Sequence, residues 1–593
     1  MGVALIAWGR FLAEGQLVTV PAPSTDPGAA WLWDFVAMQA ASLRGIGFTA
    51  IQLPPASKAQ GGAGRGCDGY GVFDPRDLGS KPQQGSTTTR YGSVEQLRRA
   101  VACCHAAGLD VYLDVVLHQL IGENGGPGVF RYLGADAITL DGRGAMHPGC
   151  FRGNTGNDDP VPPFGREDAV PAPSDDFPFG REKVFQNCEP VRYTIEDALD
   201  YGDWLFRTTG ADGMRFDDAK GTWAPFVSEF MRSRAMAGRL AYAEFFDGNP
   251  ALLDAWATGD TMNSRALVED FTLHWALQSA CASLDPRKLD GAGYLASRPF
   301  LACTFVDNPD TDSSPGEQIV SSKLLAYAWL LTSEGYPFVY GKDYFDGEVW
   351  PGAYGLKPWI DNLVWIHETL AAGATVNRWL DDGVIVRERT GGPGLLTALN
   401  FDSWNRRTIT CATGFGGGVA LHDYTGRHAD IRTDADGRAT FTIPSNAYLS
   451  GQSYLCFSRT GQDRAPSVNR RSTTQEFFGA DDLDIPALRV GRLQVGRIYA
   501  DAHTDIVFGM QPEAVPPAGS SIVLEIADEA GRLLGSTIRR HGEDGNALTA
   551  RPAGTGWCSL HLTGDGLPDP MRFVAIVTYS APQHVDRITL EKG

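Results

Sequence analysis

Eight short apolar runs, separated by longer amphipathic stretches, constrain the fold of this chain more than any other feature. They fall at residues 3–7, 48–53, 111–117, 213–216, 239–243, 266–268, 301–306 and 337–340. Alternation of this kind implies repeated βα units and a parallel sheet, and eight such units match a closed (β/α)8 barrel. The helix signals agree. Asp26-Pro27 precedes an amphipathic stretch to Arg44, an N-cap with proline in the first turn. Ser93-Val94-Glu95-Gln96 is a capping box opening a helix that stops at Gly108. Thr194-Ile195-Glu196-Asp197 opens another that ends at Gly210, and residues 226–236 and 319–331 fill two further slots.

Three carboxylates stand just past predicted strands, where a barrel displays its reactive groups. Asp217 follows Gly213-Met214-Arg215-Phe216, Glu244 ends Leu240-Ala241-Tyr242-Ala243-Glu244, and Asp310 closes Phe305-Val306-Asp307-Asn308-Pro309-Asp310. A single aspartate after a strand is most often a turn former or a helix cap, and Asp307 suits that role. The ordered set of three, with Arg215 two residues before Asp217, reverses the odds. Residues i and i+2 of a strand face one way, so the permanently charged guanidinium would hold Asp217 ionised and oriented. Asp218 points to the other side and reads as structural. Breaking a glycosidic bond takes one carboxylate that attacks and one carboxylic acid that protonates the leaving oxygen.

One connection is far too long for a barrel loop. Residues 118–187 are rich in Gly, Pro and Asp and carry little periodicity, which marks a functional excursion or disorder. Following the third strand, it reads as a small protruding subdomain walling one side of a cleft. Beyond residue 376 the pattern turns to short strands and turns, with runs at 384–386 and 395–401 and an Asp436-Gly437 hairpin turn before 438–443. Residues 459–472 read as a polar linker with a basic Arg470-Arg471 doublet. A second all-β unit follows, with runs at 521–526, 557–562 and 573–579. The expected architecture is thus α/β: a (β/α)8 TIM barrel (residues 1–117 and 188–375) with the subdomain (118–187), then two C-terminal β-sandwich domains (376–458 and 473–593).

A formal net charge of -20 disfavours nucleic acid or an anionic membrane as partner, since either calls for a basic face. A neutral polymer is compatible, and solubility alone accounts for the acidity. Ten cysteines lie scattered without metal-ligand spacing or a disulfide pattern. No apolar stretch is long enough to span a bilayer. The opening run reads as the first strand, which suits a cytoplasmic protein, or a secreted one whose signal was removed before this numbering. The chain is expected to be a monomer.

The chain resembles the α-amylase superfamily, glycoside hydrolase family 13, over about residues 1–458. Asp114-Val115-Val116-Leu117-His118-Gln119 looks like the family's strand-three motif, residues 213–220 the strand-four motif, Glu244 the close of the strand-five motif, and residues 305–310 the strand-seven motif. Residues 69–79 with Thr89-Arg90-Tyr91-Gly92 resemble the loop after strand two, and residues 335–341 resemble strand eight. Asp423-Tyr424-Thr425-Gly426-Arg427 lies in what looks like the C-terminal sandwich. The resemblance implies a retaining, endo-acting glycoside hydrolase on α-1,4-glucans such as starch or maltodextrins, with no organic cofactor. Asp217 would be the nucleophile, Glu244 the acid and then the base, and Asp310 the stabiliser of the oxocarbenium-like ring. Glu244 would have to stay protonated near neutral pH. Tyr70 would offer a sugar platform, Lys220 a contact on the leaving-group side, and Asp114 would support Arg215 from beneath.

Two departures stand out. The strand-three motif ends His118-Gln119 where the family has Asn-His, and Pro309 replaces the histidine of strand seven. Gln119 keeps an amide donor for the sugar, whereas Pro309 has none. Losing one such contact costs about 1–3 kcal/mol, which predicts a retuned enzyme. His118 also replaces an oxygen ligand of the family's usual calcium site, and calcium prefers oxygen. That site is expected to be absent, leaving Asp158-Asp159 and Asp175-Asp176 as an alternative. The structural readings are Tyr70 packing its loop, Lys220 as a solvated surface residue, His105 and His118 as satisfied histidines, and Trp204, Trp223 and Trp275 as packing. Trp557, the sole tryptophan of the last unit, reads as a half-buried strand residue, so a structural or docking role outweighs starch binding there. Two alternatives for the whole chain are a transglycosidase using the same carboxylates and a non-catalytic glucan-binding protein on the same fold.

Overall fold

The computed structural model describes residues 2–8, 31–64, 68–122, 131–138, 181–183, 185, 191–347, 352–543, 547–567 and 570–585. Eight strands close a parallel barrel: β1 (Ala4–Ile6), β2 (Ala50–Leu53), β3 (Asp110–Val115), β4 (Gly213–Phe216), β5 (Leu240–Ala243), β6 (Leu267–Glu269), β7 (Ala302–Phe305) and β8 (Tyr336–Tyr340). Neighbours around the barrel follow chain order, and β8 pairs back onto β1 with Ala4 opposite Phe338. Every apolar run read from the sequence is one of these strands. They are buried on both faces, as a parallel sheet inside a ring of helices requires.

The main helices are α1 (Leu32–Ile46), α2 (Val94–Ala107), α3 (Val191–Thr209), α4 (Ala224–Arg232), α5 (Pro250–Thr258), α6 (Phe271–Ser283), α7 (Lys323–Leu331) and α8 (Lys357–Leu370). The signal at Ser93 is a true capping box, and Gly108 closes α2 in the left-handed region at φ 93°. The signal at Thr194 lies inside α3, which starts at Val191, so Thr194 is a buried helical residue and not a cap. The stretch 226–236 divides at Ser233, whose extended backbone separates α4 from one 3-10 turn. The Asp26-Pro27 cap and nearly all of the excursion, including Asp158-Asp159 and Asp175-Asp176, lie outside the described residues. Of the excursion's edges, Gln119–Leu120 pairs antiparallel with Arg181–Glu182.

By its contacts the chain divides into two compact units. One comprises Met1–Leu12, Ser42–Gln52 and Tyr242–Ser467. It contains a sandwich built from β9 (Thr375–Leu380), β10 (Val384–Arg389), β11 (Leu395–Asn400), β12 (Arg407–Ala412), β13 (Ala420–Asp423), β14 (Ile431–Arg432), β15 (Arg438–Ile443) and β16 (Tyr454–Arg459). Its sheets run β9-β10-β11-β16-β13-β14 and β12-β15. Asp436-Gly437 does form a turn, with Gly437 N–H donating to Asp434 O. It carries the chain from β14 in one sheet to β15 in the other, so it is an inter-sheet corner and not the expected hairpin. Alternating residues of the two sheets, such as Val384, Leu396, Ile409, Phe441 and Leu455, meet in the core.

The other unit comprises Ala13–Ala41, Leu53–Ala241 and Val468–Gly593. Its C-terminal sandwich contains β17 (Thr473–Gly479), β18 (Gly491–Ala500), β19 (Ile506–Pro512), β20 (Ser521–Asp528), β21 (Leu533–Arg540), β22 (Leu548–Ala550), β23 (Gly556–Asp565) and β24 (Phe573–Tyr579). The sheets run β17-β24-β19-β22 and β18-β23-β20-β21. Its core is continuous with Ala37 of α1 and with Ala102, Cys103 and Ala106 of α2. Polar groups secure the same junction. The Gln475 amide donates to the Arg98 and Thr209 carbonyls at 3.0 and 2.9 Å, and Arg497 pairs with Glu95 at 2.6 Å. Trp557 is buried, with the guanidinium carbons of Arg99 and Arg497 5.0 and 4.9 Å from its ring centroid. No described helix is long and apolar enough to cross a membrane.

Candidate active site

Asp217 leaves the end of β4 with its N–H donating to Val115 O at 3.1 Å, which continues the sheet one residue past the strand. Its carboxylate accepts from Arg215 Nη1 at 2.9 Å. The same nitrogen lies 3.0 Å from both oxygens of Asp114, which accepts the Tyr70 hydroxyl at 2.9 Å. Tyr70, Asp114, Arg215 and Asp217 thus form one connected line, and each is under 9 % exposed. A guanidinium between two carboxylates satisfies the charge balance that burial demands, since an isolated buried ion is costly. Strand periodicity predicted that Arg215 and Asp217 share a side. The tie from Tyr70 to Asp114 spans 44 residues and is set by the fold.

Gln119 sits behind Tyr70, 1 % exposed. Its amide nitrogen donates to Tyr70 O at 3.1 Å, and its amide oxygen faces His118 Nδ1 at 3.2 Å. The residue expected to reach a sugar therefore supports the backbone of the tyrosine. His118 Nδ1 also lies 3.2 Å from Asp218. Asp218, at φ 42°, accepts from Gly221 N–H and from Thr222 through its own carbonyl, so it shapes the turn after β4. Lys220, in that turn, is half-buried. The described donors beside His118 are the Gln119 amide oxygen and the Asp218 carboxylate. Among the described residues, no group of three or more His, Cys, Asp or Glu side chains is placed to hold a metal ion. His105 is a satisfied histidine, bonded to Asp212 at 2.9 Å and Thr473 at 2.6 Å.

Glu244 directly follows β5 and is half-buried. Asp310 lies in the first turn of a short helix, Pro309–Ser313, after β7. Asn308 caps that helix, its side chain accepting from Asp310 and Thr311 N–H groups at 3.0 and 2.9 Å, while Thr311 Oγ1 accepts from Asn308 N–H. Proline is suited to the first helical position because the N–H it lacks would have no partner there. The residue that departs from the family motif thus fits the local backbone.

The support for the segment that carries Asp310 has almost no signature in the sequence. Lys323 at the start of α7 pairs with Asp307 at 2.9 Å and with Asp343 at 2.5 Å, all three essentially buried. Asp307 also accepts from Thr311 and from Ile319 N–H, and Tyr327 donates to Asp343 at 2.6 Å. Burial pushes Asp343 up to about 6, with Lys323 pulling down and Asp307 adding to the rise. Burial works against charge on Lys323, yet the two carboxylates hold it above its ordinary value. The only sequence sign was Asp307 within the strand-seven motif; its partners lie 16 and 36 residues further on.

No family model matches the chain. An α-amylase of Geobacillus stearothermophilus is 28% identical over 506 residues, covering 76% of this chain and 89% of that protein. A glucan 1,4-α-maltohexaosidase of Bacillus sp. (strain 707) is 28% identical over 468 residues, 69% of this chain and 87% of the relative. The cytoplasmic α-amylase of Escherichia coli (strain K12) is 26% identical over 476 residues, 70% of this chain and 94% of the relative. Among solved structures, an α-amylase from Geobacillus thermoleovorans complexed with acarbose aligns with a TM-score of 0.52 at 17% identity, covering 78% of this chain and 98% of that one. A γ-CGTase from alkalophilic Bacillus clarkii aligns with a TM-score of 0.53 at 16% identity over 93% of this chain and 91% of that one. The structures share the fold, and the curated relatives carry the kinship over more than two thirds of the sequence. With its barrel, its ordered strand-end motifs and these relatives, the chain is similar to the α-amylase superfamily, glycoside hydrolase family 13.

Proposed function

We propose that this chain is a glycoside hydrolase of α-glucans, and more finely a retaining, endo-acting enzyme on the α-1,4 bonds of starch-like glucans or maltodextrins. The curated relatives are named for α-amylase and maltohexaose-forming activity, which supports the substrate class. The observation that carries the chemistry is the fixed Asp217. A nucleophile must be ionised and aimed, and Arg215 does both from a position that Asp114 makes rigid. In this reading Asp217, Glu244 and Asp310, which follow β4, β5 and β7, are the three groups that act on the sugar. Asp217 attacks the anomeric carbon and forms a glycosyl-enzyme while Glu244 gives its proton to the departing oxygen. Glu244 then takes a proton from water, which releases the sugar with its original configuration. Asp310 binds ring hydroxyls and stabilises the flattened transition state. Lys220 contacts the leaving-group side, and Tyr70 lines the cleavage point with Gln119 behind it. No step requires an organic cofactor or a calcium ion at the His118 position.

Maltoheptaose is the test substrate. Replacing Asp217 by Asn lowers kcat by at least about 10³-fold with folding unchanged. Proton NMR of the first products shows the α-anomer before mutarotation. Early products of intermediate length show internal cleavage. An unaltered rate in the variant sinks the assignment of Asp217, and β-anomer product sinks retention. Products longer than maltoheptaose, formed by transfer to a second substrate molecule, or labelled glucose carried into the oligosaccharide products, establish the transglycosidase instead.

A further inference from the structure

The loop between β2 and α2 presents Tyr70, and a fully buried lysine lies at its base. Lys58 opens a two-residue strand, Lys58–Ala59, that pairs with Val72–Asp74 and so frames the hairpin bearing Tyr70. Its ammonium nitrogen is 2.9 Å from Lys81 O, 2.8 Å from Ser86 O and 2.7 Å from Thr87 O, and 3.2 Å from an Asp77 carboxylate oxygen. Lys58 and Asp77 side chains are both 0% exposed. Three carbonyl contacts use all three hydrogens of an ammonium, so the arrangement requires the charged form; a neutral amine has too few donors. Burial pulls the Lys58 pKa down, and Asp77 opposes that pull.

Such an oxygen cage, of loop carbonyls and a carboxylate, is what proteins build around a metal ion. Its spacing is wider than the roughly 2.3–2.6 Å that calcium takes. The surroundings are equally organised. Asp77 accepts from Gly79 and Ser80 N–H groups at 2.8 and 2.9 Å. Gln83 donates to both Asp74 and Asp77 and accepts from Leu133 N–H, which joins this loop to the one after β3. Lys81 lies 3.6 Å from Asp484 of the C-terminal sandwich.

We propose that the Lys58 ammonium is a tethered ion in a cage sized for ammonium or potassium, and that it positions Tyr70 by locking the base of its hairpin. Cutting the side chain back then converts the cage into a binding site for the free monovalent cation. The activity arm of the test rests on the glucan-hydrolase reading; the stability arm does not.

The experiment uses the full chain carrying Lys58→Ala, in choline, lithium, potassium or ammonium chloride at matched ionic strength. In choline the variant loses several degrees of melting temperature, and kcat/KM on maltoheptaose falls on the order of tenfold to a hundredfold. Potassium and ammonium restore both in a saturable way, lithium does not, and the unsubstituted chain responds to none. Lys58→Met, whose apolar tail fills the cage, is restored by no salt. A folded Lys58→Ala that melts alike in all four salts overturns the proposal, as does equal restoration by lithium or any restoration of Lys58→Met. If Lys58→Ala does not fold in choline, refolding in potassium is the readout, and failure in both salts overturns it. Should the unsubstituted chain leave glucans intact, the melting data still decide the cage.

Discussion

Arg215 shows how a single residue type does work that no close substitute can. One terminal nitrogen of the planar guanidinium meets Asp114 and Asp217 together. Replacing Arg215 by Lys keeps the charge and loses the geometry, so kcat/KM on maltoheptaose drops by about 10²-fold while the melting temperature changes little. A drop in stability as large as the drop in rate argues against this account. Tyr70→Phe keeps the ring and removes the hydroxyl that donates to buried Asp114. The expected loss is about 1–2 kcal/mol of transition-state stabilisation, read as roughly a tenfold fall in kcat/KM. The strand pair 215/217 was legible because alternation in a strand is strictly periodic. Tyr70 and Gln119 were legible as motif members but not in their contacts. Gln119 faces inward to the Tyr70 carbonyl, a direction set by how the two loops pack.

At the level of elements, the segment after β7 depends on the trio Asp307, Lys323 and Asp343. Lys323→Met leaves two buried carboxylates without their cation, at a cost of about 3–5 kcal/mol. Denaturant unfolding checks that value, and kcat falls too because Asp310 sits three residues from Asp307. The pH dependence has a definite sign. Burial raises Asp343 from 3.8 to about 6, so the folded state holds a proton that the unfolded state has lost between those values. The stability from this group is fully present below about pH 4 and is lost as pH climbs through about 6. Asp343→Asn removes that decline, so the melting-temperature gap between variant and unsubstituted chain changes across this window and is flat above it. A gap independent of pH sinks the assignment. Helix starts were legible where a side chain caps its own turn, as Ser93 does. The Thr194 signal misled because an S/T-x-x-D/E pattern also occurs inside helices, where tertiary burial decides the helix ends.

For the molecule as a whole, the C-terminal sandwich shares a core with α1 and α2 and is no tethered module. Ending the chain at residue 472 uncovers Ala102, Cys103 and Ala106 and strands Glu95 and the Arg98 carbonyl. The expected product is aggregated or rapidly degraded, measured by soluble yield and limited proteolysis; a stable, fully active truncation contradicts the shared core. The barrel could be read from sequence because each βα unit writes its own period into the chain. Composition likewise marked the two all-β units. What remained hidden were the pairings of residues distant along the chain: Tyr70 with Asp114, Lys58 with the carbonyls of 81, 86 and 87, Lys323 with Asp307 and Asp343, and the sandwich with the barrel helices. Periodicity is a local property that any segment carries alone. A buried ion finds its counter-charge only when distant segments fold together, and only the tertiary structure names that partner.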